Sequence, residues 1–313
     1  MKINQMKKDE FFEGFYLIKT AEVRQTRAGK DYLALTFQDE TGEIEGKLWD
    51  AQPGKIKDFT AGTVVHMQGR REVYNNTPQV NQLVLRLPKA GEPNDPADFK
   101  EKPPVDVKDT KDYLNQMIFL IENATWQRIV RALYSKYEKE FYSYPAAKTN
   151  HHAFYSGLSF HTATMVRLAD KIGDIYPQLN KSLLFAGIML HDLAKVIELT
   201  GPDNTGYTVR GNLIGHISLI DEEITKVLME LGIDDSLEEV TVLRHVILSH
   251  HGLLEYGSPV RPQIMEAEIL HMIDNIDAEM MMMLSALDKV GPGEMTNRIF
   301  AMENRAFYKP NLD

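Results

Sequence analysis

Histidines and aspartates in this chain recur where a packed protein would not put them. His161 sits in GLSFHTATM, His191 and Asp192 in LLFAGIMLHDLAKVIEL, His216 in LIGHISL, His250 and His251 in ILSHHGLLE, and Asp274 in LHMIDNIDAEM. All of these stretches are strongly apolar. Burying an imidazole or a carboxylate without a partner costs several kcal/mol, and a divalent cation is a partner that satisfies several such groups at once. One histidine in an apolar helix is ordinarily a core residue bonded to a carbonyl. Five of them with two aspartates, in a chain that has no cysteine, point to metal. Imidazole and carboxylate donors suit manganese, iron, cobalt or zinc. Two neighbouring ions bridged by Asp192 would clamp a phosphate and acidify a water between them, which is chemistry for cleaving phosphodiesters. Lys195 stands three residues after Asp192 and four after His191, on the same face if the helix runs on, and supplies a cation for a phosphate oxygen.

Other polar residues near these stretches have less behind them. His151 and His152 precede the first motif and read as substrate contacts or as solvated loop residues, and Arg210 reads as a substrate-phosphate contact or, more often for a loop arginine, as solvated. His271 and Asp277 flank Asp274 at helical spacing and read either as groups that orient it or as an unrelated surface histidine and a charged turn of helix. The run Met280–Met283 reads as filler for irregular gaps in a core.

The elements that must position the ligands are helices. Apolar residues recur at three- and four-residue spacing over residues 107–121, 124–143, 157–173, 181–199, 212–231, 236–249 and 262–290. This predicts an all-α domain over residues 105–313, with His191 and Asp192 in the middle of one continuous helix. The GPDNTGYTVRG stretch between that helix and His216 reads as a turn and short hairpin.

Upstream the period changes to two. Residues 15–24, 32–39, 44–49, 64–74 and 79–87 alternate as strands, with a short helical insertion between the third and fourth, so residues 1–90 are expected to form a five-stranded barrel of OB type. Leu33, Leu35, Phe37, Ile44 and Leu48 would line its interior. Tyr32, Lys47 and Trp49 would face outward, with Arg70 and Tyr74 extending the groove, and aromatic groups interleaved with basic ones suit a single strand of nucleic acid. Residues 91–104, rich in Pro and charge, read as a linker with neither helix nor strand.

Composition narrows the classes. The chain of 313 residues carries a net charge of −10, yet residues 1–90 hold 14 Lys and Arg against 12 Asp and Glu, so the acidic excess lies beyond them. A uniformly basic nucleic-acid binder is excluded, as are disulfide scaffolds and thiol enzymes. No apolar run is long enough to span a membrane and no signal-type segment opens the chain, so a cytoplasmic protein is expected. Self-association is left open.

The order His161, His191-Asp192, His216, His250/His251, Asp274 resembles the HD superfamily of metal-dependent phosphohydrolases. That resemblance implies one ion held by His161, His191, Asp192 and Asp274, a second held by Asp192, His216, His250 and His251, and Lys195 on the substrate phosphate. Joined to an OB barrel, and with the stretches NHHAFYSGLSFHT and LHDLAKVIEL, the chain is similar to the YhaM-type bacterial 3′-to-5′ exoribonucleases. This resemblance implies hydrolysis of single-stranded RNA, with single-stranded DNA a further substrate, supported by manganese or cobalt and releasing nucleoside monophosphates. HHGLLEYGSP departs from the double-His, Glu and Gly-Tyr-Pro pattern of the HD-GYP cyclic-dinucleotide phosphodiesterases. The alternatives are an HD-type nucleotide or cyclic-nucleotide phosphohydrolase and a single-stranded nucleic-acid-binding or replication-associated factor.

Overall fold

The structure is a computed structural model. It describes the chain apart from residues 27, 50–52, 75, 76, 101–104, 149–151, 153, 203, 204, 289 and 313, and apart from the side chains of residues 53–55, 74 and 77. The chain forms two compact units, Met1–Lys102 and Pro103–Asp313.

Five strands, β1 (Phe11–Gln25), β2 (Asp31–Asp39), β3 (Gly42–Leu48), β4 (Val64–Tyr74) and β5 (Thr77–Arg86), close into a barrel in the order β1-β2-β3-β5-β4, with a short helix α1 (Pro53–Asp58) between β3 and β4. The long β1 makes closure possible, since its first half pairs with β4 and its second half with β2. Period-two burial is cleanest in β3, and Leu33, Leu35, Phe37, Ile44 and Leu48 are all buried in the barrel core, as their alternation predicts.

The segment after β5 departs from a structureless linker. Glu92 turns back to accept two hydrogen bonds from the Arg86 guanidinium at 2.6 and 2.9 Å, and residues Pro96–Phe99 form a 3-10 turn capped by the Asp95 side chain. Phe99 then buries itself with Leu17 and Val64. One large aromatic residue is enough to dock a Pro-rich strap against its own barrel.

The second unit is helical: α2 (Val107–Phe119), α3 (Ala124–Phe141), α4 (Gly157–Ile175), α5 (Lys181–His191), α6 (Lys195–Glu198), α7 (Val209–Ile214), α8 (His216–Leu231), α9 (Glu238–Leu248) and α10 (Met265–Leu287). At its centre lies α5, with every residue from Ser182 to His191 buried. A helix apolar on all sides belongs in the middle of a bundle. Asn180 caps its first turn by accepting from the Leu183 backbone N–H at 3.0 Å. Gly187 lets α9 approach closely: a Cβ there would stand 2.5 Å from Val246 Cγ1.

Three expectations for this unit are corrected. The helix predicted over residues 181–199 ends at His191, and Asp192 caps it before the chain restarts at Lys195. Residues 212–231 likewise divide at Gly215, whose φ of 78° ends α7 and leaves His216 as the first residue of α8. Met280–Met283 do not fill the core: Met280 is half exposed and the next three are only partly buried. Periodicity reads where apolar residues fall, and it cannot see which helix face finds a neighbour. Among the described residues, no helix is long and apolar enough to cross a membrane.

Candidate metal centre

The helix breaks make the site. His191 ends α5 and donates its Nδ1 hydrogen to the carbonyl of Ile188 at 2.7 Å; His250, two residues past α9, does the same to Ile247 at 2.7 Å. The last carbonyls of a helix lack intrahelical donors. Each imidazole therefore satisfies its own helix end, which fixes the tautomer and turns Nε2 the other way. His251 donates Nδ1 to the carbonyl of Tyr256 at 2.6 Å. Two more rings are backed by carboxylates: His216 Nδ1 by Glu198 Oε1 at 3.1 Å, and His161 Nδ1 by Asp277 Oδ2 at 2.6 Å.

All five Nε2 sides face one region around Asp192. Its Oδ2 lies 3.4 Å from His191 Nε2 and 3.7 Å from His161 Nε2, and its Oδ1 lies 3.3 Å from His216 Nε2 and 4.0 Å from His250 Nε2. Asp274 Oδ1 stands 3.3 Å from His161 Nε2. The His251 ring is 4.3 Å from that of His250 and 5.3 Å from that of His216, centroid to centroid. Every residue expected from sequence to bind metal thus reaches one pocket, in two subsets whose donor atoms converge: His161 with His191 and Asp192, and His216 with His250 and His251.

The donors fit a metal by a direct test. Nε2 of His191, His216 and His250, and Oδ1 of Asp192, are buried and have no hydrogen-bond partner among the described residues. Such groups are rare in folded proteins because leaving each unsatisfied is costly. Here four of them point at a common space, and their nitrogen and oxygen character suits a first-row divalent ion.

Charge in the pocket follows from the same contacts. Burial opposes ionisation of Asp192, yet Lys195 and the surrounding imidazoles hold its pKa well below the ordinary range. Lys195 Nζ lies 2.6 Å from Asp192 Oδ2, and this pairing keeps the buried ammonium charged against its own desolvation. Burial likewise opposes a charge on His161, but the hydrogen bonds and charges of Asp274 and Asp277 prevail and raise its pKa to about 10. Without a cation the pocket retains a proton there, which an incoming ion must displace.

Three residues take roles here that the sequence did not assign to them. Glu198, buried, accepts from both the backbone N–H and Nδ1 of His216 at 3.1 Å, so one carboxylate caps α8 and orients a ligand. Asp277 holds His161. His152 is neither solvated nor on the rim: it is buried with Nε2 2.6 Å from Asp277 Oδ2. His271 meets the carbonyl of His250 at 2.9 Å instead of Asp274. Arg210 pairs with Glu222 at 2.6 Å, and His151 lies outside the described residues. The seven-residue spacing from His191 to Glu198 is the one local signal that was available for the first of these.

On the barrel, the rings of Tyr32 and Trp49 lie with centroids 5.0 Å apart and planes tilted by 35°, and Lys47, near the end of β3 and two residues before Trp49, is exposed. Arg70 does not join them. It lies on β4, separated from β3 by β5, with Nε donating to the Asp9 carbonyl at 3.0 Å and the guanidinium 5.9 Å from the Phe11 ring centroid. The Tyr74 side chain lies outside the described residues.

Residues 159–279 match the family model of the HD domain. The chain is thus a closed five-stranded barrel followed by a helical region that contains an HD domain. An HD domain indicates a metal-dependent phosphohydrolase, and the matched span takes in all seven ligand positions, from His161 to Asp274.

Proposed function

We propose that this protein is a 3′-to-5′ exoribonuclease that hydrolyses single-stranded RNA, and single-stranded DNA as a further substrate, to nucleoside monophosphates with two divalent ions, Mn2+ or Co2+. The observation that carries the reading is the ring of buried, unsatisfied Nε2 atoms around a carboxylate whose two oxygens face different histidines. The HD domain supports the phosphoester chemistry. The neighbouring Tyr32 and Trp49 rings, with Lys47 exposed two residues before Trp49, support a strand-holding role for the barrel, because base stacking on aromatic rings tolerates any sequence.

His161, His191, Asp192 and Asp274 would hold one ion and Asp192, His216, His250 and His251 the other. Bound there, the pair supplies charge neutralisation at the phosphate and acidifies the attacking water. Asp192 contributes by offering Oδ2 to one subset and Oδ1 to the other, which fixes the spacing between them. Lys195 now sits on Asp192 Oδ2 as a cation would; once that oxygen is engaged elsewhere, Nζ is free to hold a non-bridging phosphate oxygen. Glu198 and the carbonyls of Ile188 and Ile247 engage Nδ1 of His216, His191 and His250 and so keep Nε2 of each aimed at the site.

Purified protein with Mn2+ should shorten 5′-labelled single-stranded RNA one nucleotide at a time and release the label of 3′-labelled RNA at once as a mononucleotide. His191→Ala should abolish both. Intact RNA in the wild-type reaction, matching the His191→Ala control, would sink the proposal; internal fragments would sink the exonucleolytic part.

A further inference from the structure

We propose that His152 is a positioning residue of the metal centre, acting through Asp277 to hold His161 with Nε2 turned toward Asp192 and Asp274; the inference rests on the metal reading above. Asp277 Oδ2 lies 2.6 Å from His152 Nε2 and 2.6 Å from His161 Nδ1, so a single carboxylate oxygen accepts from two imidazoles. One of those rings turns its other nitrogen to the site. The other stands one residue layer back, its ring centroid 5.0 Å from the first. Asp277 follows Asp274 by one turn of α10, so a rotation of that helix or a change in the Asp277 rotamer would move the ligand and its backing together. Pinning Oδ2 from the side away from the metal removes that freedom.

The backbone around His152 is built to keep it there. Its φ is 53°, in the left-handed region that a non-glycine residue enters only when its surroundings demand it. Its carbonyl accepts from the Ala146 N–H at 3.0 Å and lies against Gly157, where a Cβ would come within 2.0 Å of the carbonyl oxygen. The rings of Phe154 and Phe160 flank the imidazole at centroid distances of 5.7 and 5.5 Å. A histidine buried only for packing needs some acceptor. This one is directed to the oxygen that already holds a ligand.

A third ion between His152, His161 and Asp277 is the competing account of this cluster. Donor atoms at about 2.0–2.2 Å from one ion and at right angles to each other stand about 3 Å apart. The 2.6 Å separations are instead those of charge-assisted hydrogen bonds.

Mn2+ titration of the full chain by calorimetry, with electron paramagnetic resonance to count bound ions, tests this. Wild-type protein should take up two ions. His152→Ala should weaken one of them by about ten- to a hundredfold and leave the other unchanged. His152→Gln, whose amide can still donate to Asp277, should recover most of the loss. In an Asp277→Ala background the His152→Ala change should have no further effect, because the two act through one contact. If His152→Ala does not fold, Asp277→Asn carries the same expectation of one weakened ion. Wild-type affinities in His152→Ala, equal weakening of both ions without rescue by Gln, additive losses in the double variant, or three ions per wild-type chain would each overturn the inference. A wild-type chain that binds no Mn2+ would overturn the metal reading itself, and this inference with it.

Discussion

At the scale of single residues, Glu223 gives the clearest pH dependence. It is nearly fully buried on α8, with Lys136 Nζ 2.6 Å and the Tyr137 hydroxyl 2.6 Å from Oε2 and Lys226 Nζ 2.8 Å from Oε1. Burial raises its pKa, but these three donors prevail and bring it down to about 2. Because the folded value lies below the unfolded one, the stabilisation is complete above about pH 4.5 and disappears as pH falls toward 2. The two lysines are half exposed and therefore screened, so Glu223→Gln should cost about 1–2 kcal/mol at pH 7 and roughly a quarter of that at pH 2.5, read from urea unfolding at each pH. Parallel pH profiles for the two proteins would refute the assignment. The same scale shows what a sequence reveals. His161, His191, His216 and His250 were legible because an imidazole in an apolar run is conspicuous by itself. Glu198 was not, and His152 and Asp277 were noticed without their true partners, because a carboxylate or imidazole behind a ligand differs from an ordinary surface residue only through a contact the fold makes. Arg70 lies on β4 as its alternation predicts, but its guanidinium is engaged with the Asp9 carbonyl and the Phe11 ring, a contact that no spacing in the sequence announces.

At the scale of elements, chain breaks matter as much as helices. Periodicity located the helices of the second unit, since apolar spacing marks the buried face of each. It ran through Asp192 and Gly215, because a break at a buried site keeps the apolar pattern on both sides. Those breaks put His191 at a helix end, where the Ile188 carbonyl can hold Nδ1, and His216 at a helix start, where Glu198 can reach its backbone N–H; the end of α9 does for His250 what the first break does for His191. Close approach of α5 and α9 is the complementary requirement, for it brings His191 and His250 within 5.0 Å, ring to ring. Gly187 permits that approach. In Gly187→Ala the new methyl would meet Val246 Cγ1 at 2.5 Å and Leu270 Cδ1 at 3.1 Å, both in the core. Overpacking of this kind should destabilise the unit by about 1–3 kcal/mol, seen as a lower urea midpoint, and should loosen Mn2+ binding by pushing the two histidines apart. Unchanged stability would mean that the helices separate freely, and that the site does not depend on their spacing. The strap over residues 91–99 shows the opposite failure of sequence reading: Pro and charge suggested no structure, and one buried phenylalanine supplied it.

At the scale of the whole molecule, each unit has its own core, and among the described residues the helical unit alone holds unsatisfied buried polar groups facing a common space. An ion that satisfies them binds the folded unit and not the unfolded chain, so it must stabilise that unit by mass action. The chain has two tryptophans, one in each unit: Trp49 on the barrel and Trp126 in α3, with its indole N–H donating to the Glu239 carbonyl at 2.7 Å. Trp49→Phe leaves Trp126 as the reporter of the helical unit, and Trp126→Phe leaves Trp49 as the reporter of the barrel. With Mn2+ at a hundred times its Kd each ion contributes about 2.7 kcal/mol, which for a unit of this size raises Tm by about 5–10 °C per ion bound. The Trp126 transition should move by that amount and return on adding EDTA, while the Trp49 transition stays where it was. In His191→Ala the shift should fall by at least the share of the ion that His191 holds. A Trp126 transition indifferent to Mn2+, or an equal shift in His191→Ala, would mean that the inward-facing imidazoles are satisfied in some other way, and the phosphodiester chemistry assigned to them would lose its foundation.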